Sequence, residues 1–233
     1  MIVDISNIVL LPGLDGTGRL FRWLTAEYAG PVPLQIVSYP SDARLGYREL
    51  TEYVREIIGR RNVIVLGESF SGPVAIEIAA SMPSQVKGVI LAATFARSPW
   101  PAWLVRMAAR LNPGLAPRAL VNTILRGRNT DQDLNSEIEK ILTEMAPDVR
   151  CKRLCEVASA DVRERLKVVQ CPILVLHGTK DWLVPRTSVK KSVKSNPNAT
   201  VALFAAPHML LQTNAGAAAR AIEAFVGKIG TTS

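Results

Sequence analysis

Six short apolar stretches, rich in β-branched residues, recur along the chain and do not alternate with polar positions. Apolar runs of this length are typical of strands that are buried on both faces of a sheet. Between most of them the apolar positions follow a helical period, as over residues 45–58. This alternation predicts an α/β fold with a mostly parallel sheet of about six strands and helices on both faces. The predicted strands lie at residues 8–11, 34–37, 63–66, 86–91, 173–176 and 201–204.

The pattern changes between residues 97 and 165, where helical periods continue without a convincing strand. Prolines divide this stretch, and proline breaks a helix because it lacks an N–H donor and clashes with the preceding turn. We therefore predict a helical insertion, a cap or lid, at residues 97–165. The α/β core then comprises residues 1–96 and 166–233, which is a normal size for one domain.

A predicted strand runs directly into Gly67-Glu68-Ser69-Phe70-Ser71-Gly72, and a helical pattern follows. A sharp strand-to-helix turn of this kind strains its central residue and lifts that side chain above the sheet. The turn needs small residues two positions before and after its centre, and Gly67 and Ser71 meet that requirement. The motif predicts Ser69 as a nucleophile. The alternative is that Ser69 only caps the helix.

The first predicted strand ends in the glycine-rich turn Leu11-Pro-Gly-Leu-Asp-Gly-Thr-Gly18. Acyl transfer needs N–H donors that point at the oxygen which becomes negative in the tetrahedral intermediate. We predict the backbone N–H groups of Leu14 and Phe70 as these donors. A phosphate-binding loop is the weaker alternative, because the glycine spacing matches neither nucleotide fingerprint. Asp15 is interpreted as a helix cap rather than a catalytic group.

The chain has two histidines, so the choice of a general base is nearly binary. His208 and Asp181 each follow a predicted strand, which places both at the carboxyl edge of a parallel sheet. A catalytic histidine needs a carboxylate that fixes its tautomer and stabilises its cation. We predict Ser69, Asp181 and His208 as the triad, in the chain order that this fold uses. His177 is interpreted as packed, with a ring nitrogen on a backbone group, and Asp161 as the less suitable acid.

These motifs resemble the α/β-hydrolase superfamily, especially small bacterial serine esterases with a helical cap. The turn at 11–18, the elbow at 67–72 and the loops at 177–181 and 207–208 carry the resemblance. It implies a hydrolase that cleaves carboxylic esters through an acyl-serine intermediate, with no cofactor or metal. The chain departs from the family pattern at Pro12, where His is usual, and at Ser71, where Gly is usual. It also lacks the first strands of the full-length fold.

Three other functions stay open beside the esterase. The same triad would serve a thioesterase or an esterase that acts on carrier-bound acyl groups, and it would serve an acyltransferase, since only the acceptor differs from water. A non-catalytic binding protein on this fold is the alternative from a different class. The complete set of Ser69, Asp181 and His208 argues against it, because a receptor has no need of all three groups.

The charge of the chain bears on its partners. The formal net charge is +8, yet no nucleic-acid motif occurs, so we expect no nucleic-acid partner. Trp100, Leu104 and Met107 share one predicted helical face with Trp103 close by, and they are candidates for a substrate pocket. The same face also suits an ordinary amphipathic helix. Residues 97–128 contain no acidic residue, and their arginines would suit an acidic acyl carrier or an anionic surface. They are Arg97, Arg106, Arg110, Arg118, Arg126 and Arg128.

Cysteine content and hydropathy bear on location. Cys151, Cys155 and Cys171 form no paired framework and have no ligand set around them, which favours reduced thiols in a cytoplasmic protein without a metal site. No run of 18 apolar residues occurs, so no transmembrane segment is expected. The first residues are interpreted as a strand rather than a signal peptide.

Overall fold

The computed structural model of the chain describes residues 4–110 and 131–231. Its sheet has six strands in the order β2-β1-β3-β4-β5-β6, and every neighbouring pair is parallel. This confirms the predicted α/β class and all six predicted strand positions. The strands are β1 (Asn7–Leu11), β2 (Leu34–Ile36), β3 (Val63–Glu68), β4 (Val86–Ala92), β5 (Ile173–Gly178) and β6 (Ala199–Phe204).

Helices connect the strands and cover both faces of the sheet. Among the described residues the α-helices are α1 (Arg22–Glu27), α2 (Tyr47–Ile58), α3 (Gly72–Ser81), α4 (Ala102–Arg110), α5 (Gln132–Glu144), α6 (Pro147–Ser159), α7 (Arg163–Lys167), α8 (Arg186–Val193), α9 (Leu210–Thr213) and α10 (Ala215–Thr231). Two short 3-10 helices, Arg19–Phe21 and Ser69–Ser71, precede α1 and α3. In the first turn of α2, the Glu49 carboxylate accepts a hydrogen bond from the Gly46 N–H at 2.9 Å. This bond satisfies a backbone donor at the start of the helix.

The apolar core lies in two layers, one on each side of the sheet. In β3, Val63 and Val65 face the layer that contains α2 and α3, whereas Ile64 and Leu66 face the layer that contains α1 and α10. Successive side chains of a strand point to opposite faces, so a central strand between two such layers must be apolar at every position. The six residues of β3 are all buried.

The edge strand β6 differs from its prediction. Its apolar run predicted burial on both faces, but Val201 and Leu203 are 42% and 43% exposed. Among the described strands it pairs with β5 alone, so it is the last of them on its side of the sheet. Apolar composition alone does not distinguish an edge strand from a central one, so the prediction that β6 is buried on both faces is wrong.

The described parts of residues 97–165 contain the helices α4, α5 and α6 and the start of α7. Helix α4 packs on α6, and an isolated antiparallel bridge joins Arg97 to Asp161 where the segment leaves and rejoins the sheet. Helix α6 also contacts α2, since Glu156 accepts a hydrogen bond from the Tyr47 N–H at 2.9 Å. We call this segment the helical insertion, while its status as a separate domain stays a prediction. The predicted arginines at 118, 126 and 128 lie outside the described residues.

The remaining sequence expectations concern membranes, thiols and metals. Within residues 4–110 and 131–231, the helices include none that is long and apolar enough to cross a bilayer. Cys151, Cys155 and Cys171 are free cysteines. The described chain brings together no group of three or more side chains that could hold a metal ion.

Candidate active site

The turn between β3 and α3 holds Ser69 in a strained backbone conformation, with a φ of 48°. A non-glycine residue in this left-handed region is unfavourable and persists only where the surroundings enforce it. Gly67 permits the turn, because a Cβ there would lie 2.6 Å from the Ser71 carbonyl oxygen. The N-cap residue of α3 is Ser71, and no side chain caps this helix. The Ser69 hydroxyl is therefore not a helix cap.

The Ser69 hydroxyl lies at one end of a hydrogen-bonded chain of three side chains. Its Oγ is 2.8 Å from His208 Nε2, and His208 Nδ1 is 2.8 Å from Asp181 Oδ2. The other carboxylate oxygen of Asp181 accepts the backbone N–H groups of Leu183 and Val184, each at 2.9 Å. These bonds fix the carboxylate, which in turn orients the imidazole. The arrangement can remove a proton from the hydroxyl and return it to a leaving group.

The loops after β5 and β6 bring the acid and the imidazole together. Asp181 follows β5 and His208 follows β6, so both lie at the carboxyl edge of the sheet beside Ser69. Gly178 ends β5 where a Cβ would overlap the Ala206 carbonyl oxygen. The close approach of the two loops therefore depends on a residue without a side chain at this position.

Two free backbone N–H groups lie near Ser69, that of Leu14 in the turn after β1 and that of Phe70 in the turn after β3. Gly16 N–H closes the turn on the Gly13 carbonyl at 3.0 Å. Within the described chain, neither the Leu14 N–H nor the Phe70 N–H donates a hydrogen bond. Asp15 stabilises the turn by accepting the Thr17 N–H at 2.9 Å. It does not cap a helix as interpreted from the sequence, because the 3-10 helix that follows has no side-chain cap.

An apolar cavity of about 480 Å³ opens beside these groups. It lies between the carboxyl edge of the sheet and the helical insertion. The polar side chains that line it include those of Ser69 and His208 and the carboxyls of Asp15 and Glu68. From the helical insertion it is lined by Pro99, Trp100, Leu104, Val105, Ala108, Ile138, Ile141, Leu142, Met145, Leu154 and Val157.

The four predicted pocket residues fall into two pairs. Trp100 and Leu104 line the cavity, and the Trp100 indole N–H donates to the Leu183 carbonyl at 2.9 Å beside the acid loop. Trp103 and Met107 are 67% and 50% exposed and are not part of the cavity wall. They lie one helical turn apart on α4, on a face that turns away from the cavity. The structure therefore does not place these two side chains where the sequence pattern expected them.

Glu68 is a buried carboxyl that the sequence motif did not single out. It is 7% exposed and lines the cavity, and its Oε1 accepts a hydrogen bond from the Gln212 amide at 2.9 Å. Burial raises the pKa of Glu68 to about 7, and the negative charge of Asp15 adds to this effect, while the Gln212 hydrogen bond and His208 oppose it. The sequence signal that could have identified Glu68 is its position as a charged residue at the end of a strand that is otherwise apolar.

Ser71, which departs from the usual glycine, has two partners. Its hydroxyl lies 2.8 Å from the Tyr39 hydroxyl and donates to the Pro12 carbonyl. It thus connects the elbow to the end of β1, from which the turn with Leu14 continues. On the other side, the Thr94 hydroxyl donates to the Ser69 carbonyl. These contacts between distant segments could not be predicted from the motifs.

The alternative base and acid lie in different surroundings. His177 is 1% exposed, and burial lowers its pKa. Neither of its ring nitrogens has a hydrogen-bond partner in the described chain, so the expected backbone partner is not found. Asp161 lies in the helical insertion and accepts two hydrogen bonds from the Arg163 guanidinium at 2.8 and 2.7 Å. Only Asp181 contacts His208 among these groups.

Comparison with known proteins agrees with this architecture. A family model described as serine aminopeptidase, S33 matches residues 40–211. The pimeloyl-[acyl-carrier protein] methyl ester esterase of Citrobacter koseri is 26% identical, over 96% of this chain and 94% of that protein. The enzyme of the same name from Salmonella agona is 27% identical over 78% of each chain.

Solved structures share the fold at lower identity. The enol-lactonase from Burkholderia xenovorans LB400 superposes with a TM-score of 0.84 at 17% identity, covering 96% of this chain and 92% of that one. An esterase from Exiguobacterium antarcticum gives a TM-score of 0.84 at 14% identity, covering 95% and 92%. At such identities the likeness establishes the fold and not the substrate.

Proposed function

This chain belongs to the serine aminopeptidase S33 family of α/β-hydrolases and is a carboxylic ester hydrolase, and we propose that it works through an acyl-serine intermediate on Ser69. The observation that carries the proposal is the pair of 2.8 Å contacts that link Ser69 Oγ to His208 and His208 to Asp181. A serine hydroxyl is a weak nucleophile at neutral pH and needs such a base beside it.

In the proposed reaction, His208 Nε2 takes the Ser69 proton while Oγ attacks the ester carbonyl carbon. The tetrahedral intermediate places its negative oxygen against the N–H groups of Leu14 and Phe70. When the carbon–oxygen bond to the alcohol breaks, His208 returns the proton to the leaving alkoxide. Water then attacks the acyl-serine with His208 again as base, which releases the acid and restores Ser69. Asp181 keeps a proton on Nδ1 and stabilises the imidazolium.

The proposed reaction uses only protein groups and water, so we propose that the enzyme needs no cofactor or metal. We also propose that the protein works in the reducing cytoplasm. The support for this location is that its three cysteines are unpaired, since unpaired thiols are normal where disulfides are kept reduced.

For the substrate, we propose an ester on an acyl chain that is attached to an acidic carrier protein. The relatives named above support this, as does the apolar cavity, which suits an acyl chain. Arg106 and Arg110 are exposed on α4, the helix whose Leu104 lines the cavity. An acidic partner would therefore meet positive charge close to the cavity. A thioester substrate or an alcohol acceptor remains compatible with the same triad.

Substitution of the nucleophile tests the mechanism. Ser69→Ala should abolish the burst of p-nitrophenol from p-nitrophenyl acetate and lower kcat by several orders of magnitude, although roughly 10³–10⁴-fold over water can persist from the remaining groups. The wild-type protein should also be labelled at Ser69 by a fluorophosphonate, as shown by peptide mass spectrometry. A wild-type protein that shows neither burst nor label would be a binding protein.

The two histidines provide a matched pair. His208→Ala should lower kcat about as much as Ser69→Ala and leave the fold intact, because the two groups act as a unit. His177→Ala should mainly lower the melting temperature, because it leaves a cavity under the acid loop. The opposite pattern, with folded but inactive His177→Ala and active His208→Ala, would reassign the base.

A substrate panel tests the carrier hypothesis. The panel compares a methyl ester on a carrier-bound acyl chain with the same ester free in solution, an oxygen ester with a thioester, and water with an added alcohol. We expect the highest kcat/KM for the carrier-bound oxygen ester. Faster cleavage of the thioester would indicate a thioesterase, and transfer to the alcohol in preference to water would indicate an acyltransferase.

A further inference from the structure

Arg153 is a buried cation at the contact between the helical insertion and the sheet. It lies on α6 and is 3% exposed. Its Nη1 donates to the Leu14 carbonyl at 2.9 Å and its Nη2 to the Pro40 carbonyl at 3.2 Å. With the part of the chain that the structure describes it forms no ion pair.

A guanidinium buried with neutral carbonyl partners is unfavourable, because the charge loses its hydration without gaining a directly paired carboxylate. Burial accordingly lowers the pKa of Arg153, against the opposing effect of the Asp15 charge. An apolar side chain would fill this position at a smaller desolvation penalty. Buried charged groups with a perturbed pKa are concentrated at functional sites, which makes Arg153 a candidate for a role in the site beside it.

The turn after β1 is built closely around this guanidinium. Gly16 has a φ of 73°, and a Cβ at that residue would overlap the guanidinium group. The guanidinium carbon also lies 6.0 Å from the centre of the Phe70 ring and 5.9 Å from that of Tyr39. Arg153 thus contacts both segments whose N–H groups are proposed to bind the oxyanion, Leu14 and Phe70. It does not line the cavity itself.

We propose that Arg153 is a positioning residue that aligns the oxyanion turn from the helical insertion. Its hydrogen bond to the Leu14 carbonyl holds the peptide plane that follows Leu14. This restrains the backbone of the turn that carries the Leu14 N–H, and the positive charge favours a negative oxygen nearby. Helix α6 also supplies Leu154 and Val157 to the cavity wall. The same helix that contacts the acyl chain therefore sets the geometry of the oxyanion donors. This inference rests on the proposed oxyanion role of Leu14.

The test compares Arg153→Met and Arg153→Lys with a control, Arg150→Met, on the same helix. Each variant is assayed at a temperature where circular dichroism shows it to be folded. The readouts are kcat and KM for p-nitrophenyl acetate and the Ki of a trifluoromethyl ketone, whose adduct with serine carries an oxyanion. We expect kcat/KM and inhibitor affinity to fall together by about 10–100-fold in R153M, because misplaced oxyanion donors weaken binding of the transition state and its analogues alike.

Arg153→Lys should lie between wild type and R153M, because an ammonium keeps the charge but cannot donate in one plane to two carbonyls. If R153M does not fold, R153K and the inhibitor alone decide. A purely structural role would lower the melting temperature while leaving kcat/KM and Ki of the folded protein equal to those of R150M, and that result would overturn the inference. Failure of the proposed function would give a different result, because the wild-type protein would then not be labelled at Ser69 by a fluorophosphonate.

Discussion

Glu68 directly precedes the proposed nucleophile and brings a second titratable carboxyl into the catalytic region. With a pKa of about 7, it is protonated over much of the acidic range in which an ordinary glutamate is ionised. The ionised form would place a buried negative charge beside the oxyanion turn, close to Asp15. Burial therefore favours the neutral form, and the Gln212 amide is a hydrogen-bond partner for either form.

This raised pKa makes stability depend on pH. The native state binds a proton at Glu68 that the unfolded chain releases near pH 4.5, so Glu68 should destabilise the fold increasingly as pH rises from about 4.5 through 7. Glu68→Gln, which cannot ionise, should lack this loss. The difference between variant and wild type should grow by up to about 3 kcal/mol from pH 4.5 to 8, measured by urea unfolding. A difference independent of pH would contradict the raised pKa.

Among individual site residues, the sequence predicts those that stand in a local motif. Ser69, Asp181 and His208 each follow a strand and stand in a short recognisable turn, and the structure brings their side chains together. Arg153 and Gln212 carry no such signal. Their partners, Leu14 and Glu68, are more than a hundred residues away in the chain, and only the fold creates those contacts.

At the scale of elements, α4 has two apolar sides. Leu104, Val105 and Ala108 contact the cavity, whereas Trp103 and Met107 face outward. The sequence pattern could not distinguish these sides because both carry apolar residues. The structure separates them through the way α4 packs on α6, which turns residues 104 and 108 toward the cavity.

The inner side of α4 should set the acyl length that the enzyme accepts. Leu104→Trp should shorten the cavity, so kcat/KM for long p-nitrophenyl esters should fall while that for the acetate stays nearly constant. Each methylene excluded from the cavity forfeits about 0.8 kcal/mol of transfer free energy, which is roughly fourfold in kcat/KM. A panel from two to ten carbons measures this. Trp103→Ala, on the outer side of the same helix, is the control, and an equal change there would contradict the assignment of the two sides.

Prediction of the strands succeeded because the central strands are apolar on both faces, a pattern that few other elements share. It was less accurate at β6, where Val201 and Leu203 are half exposed. The position of a strand within the sheet depends on crossover connections over the whole chain. Burial at an edge is therefore a property of topology rather than of composition.

At the scale of the molecule, positive charge exceeds negative charge by eight. Many basic groups form ion pairs, as in the contact of Arg19 with Glu137. Arg106 and Arg110 are exposed and form no ion pair with a described residue. Their charge is thus available to a partner beside the cavity, while Arg60 and Lys87 lie near the amino ends of β3 and β4, at the opposite edge of the sheet.

Reversal of the charges on α4 should separate binding of a carrier from chemistry. Arg106→Glu with Arg110→Glu should leave kcat/KM for p-nitrophenyl acetate nearly unchanged, because no group of the proposed triad is altered. For an ester on an acidic carrier we expect kcat/KM to fall about tenfold at low salt, since opposite charges speed encounter. The difference should shrink toward 1 M salt, where the Debye length is about 3 Å.

The control, Arg60→Glu with Lys87→Glu, changes the net charge equally at the far edge. An equal loss in that control would show that net charge and not the α4 surface attracts the carrier, and an equal loss on both substrates would show that the substitutions damaged the helical insertion.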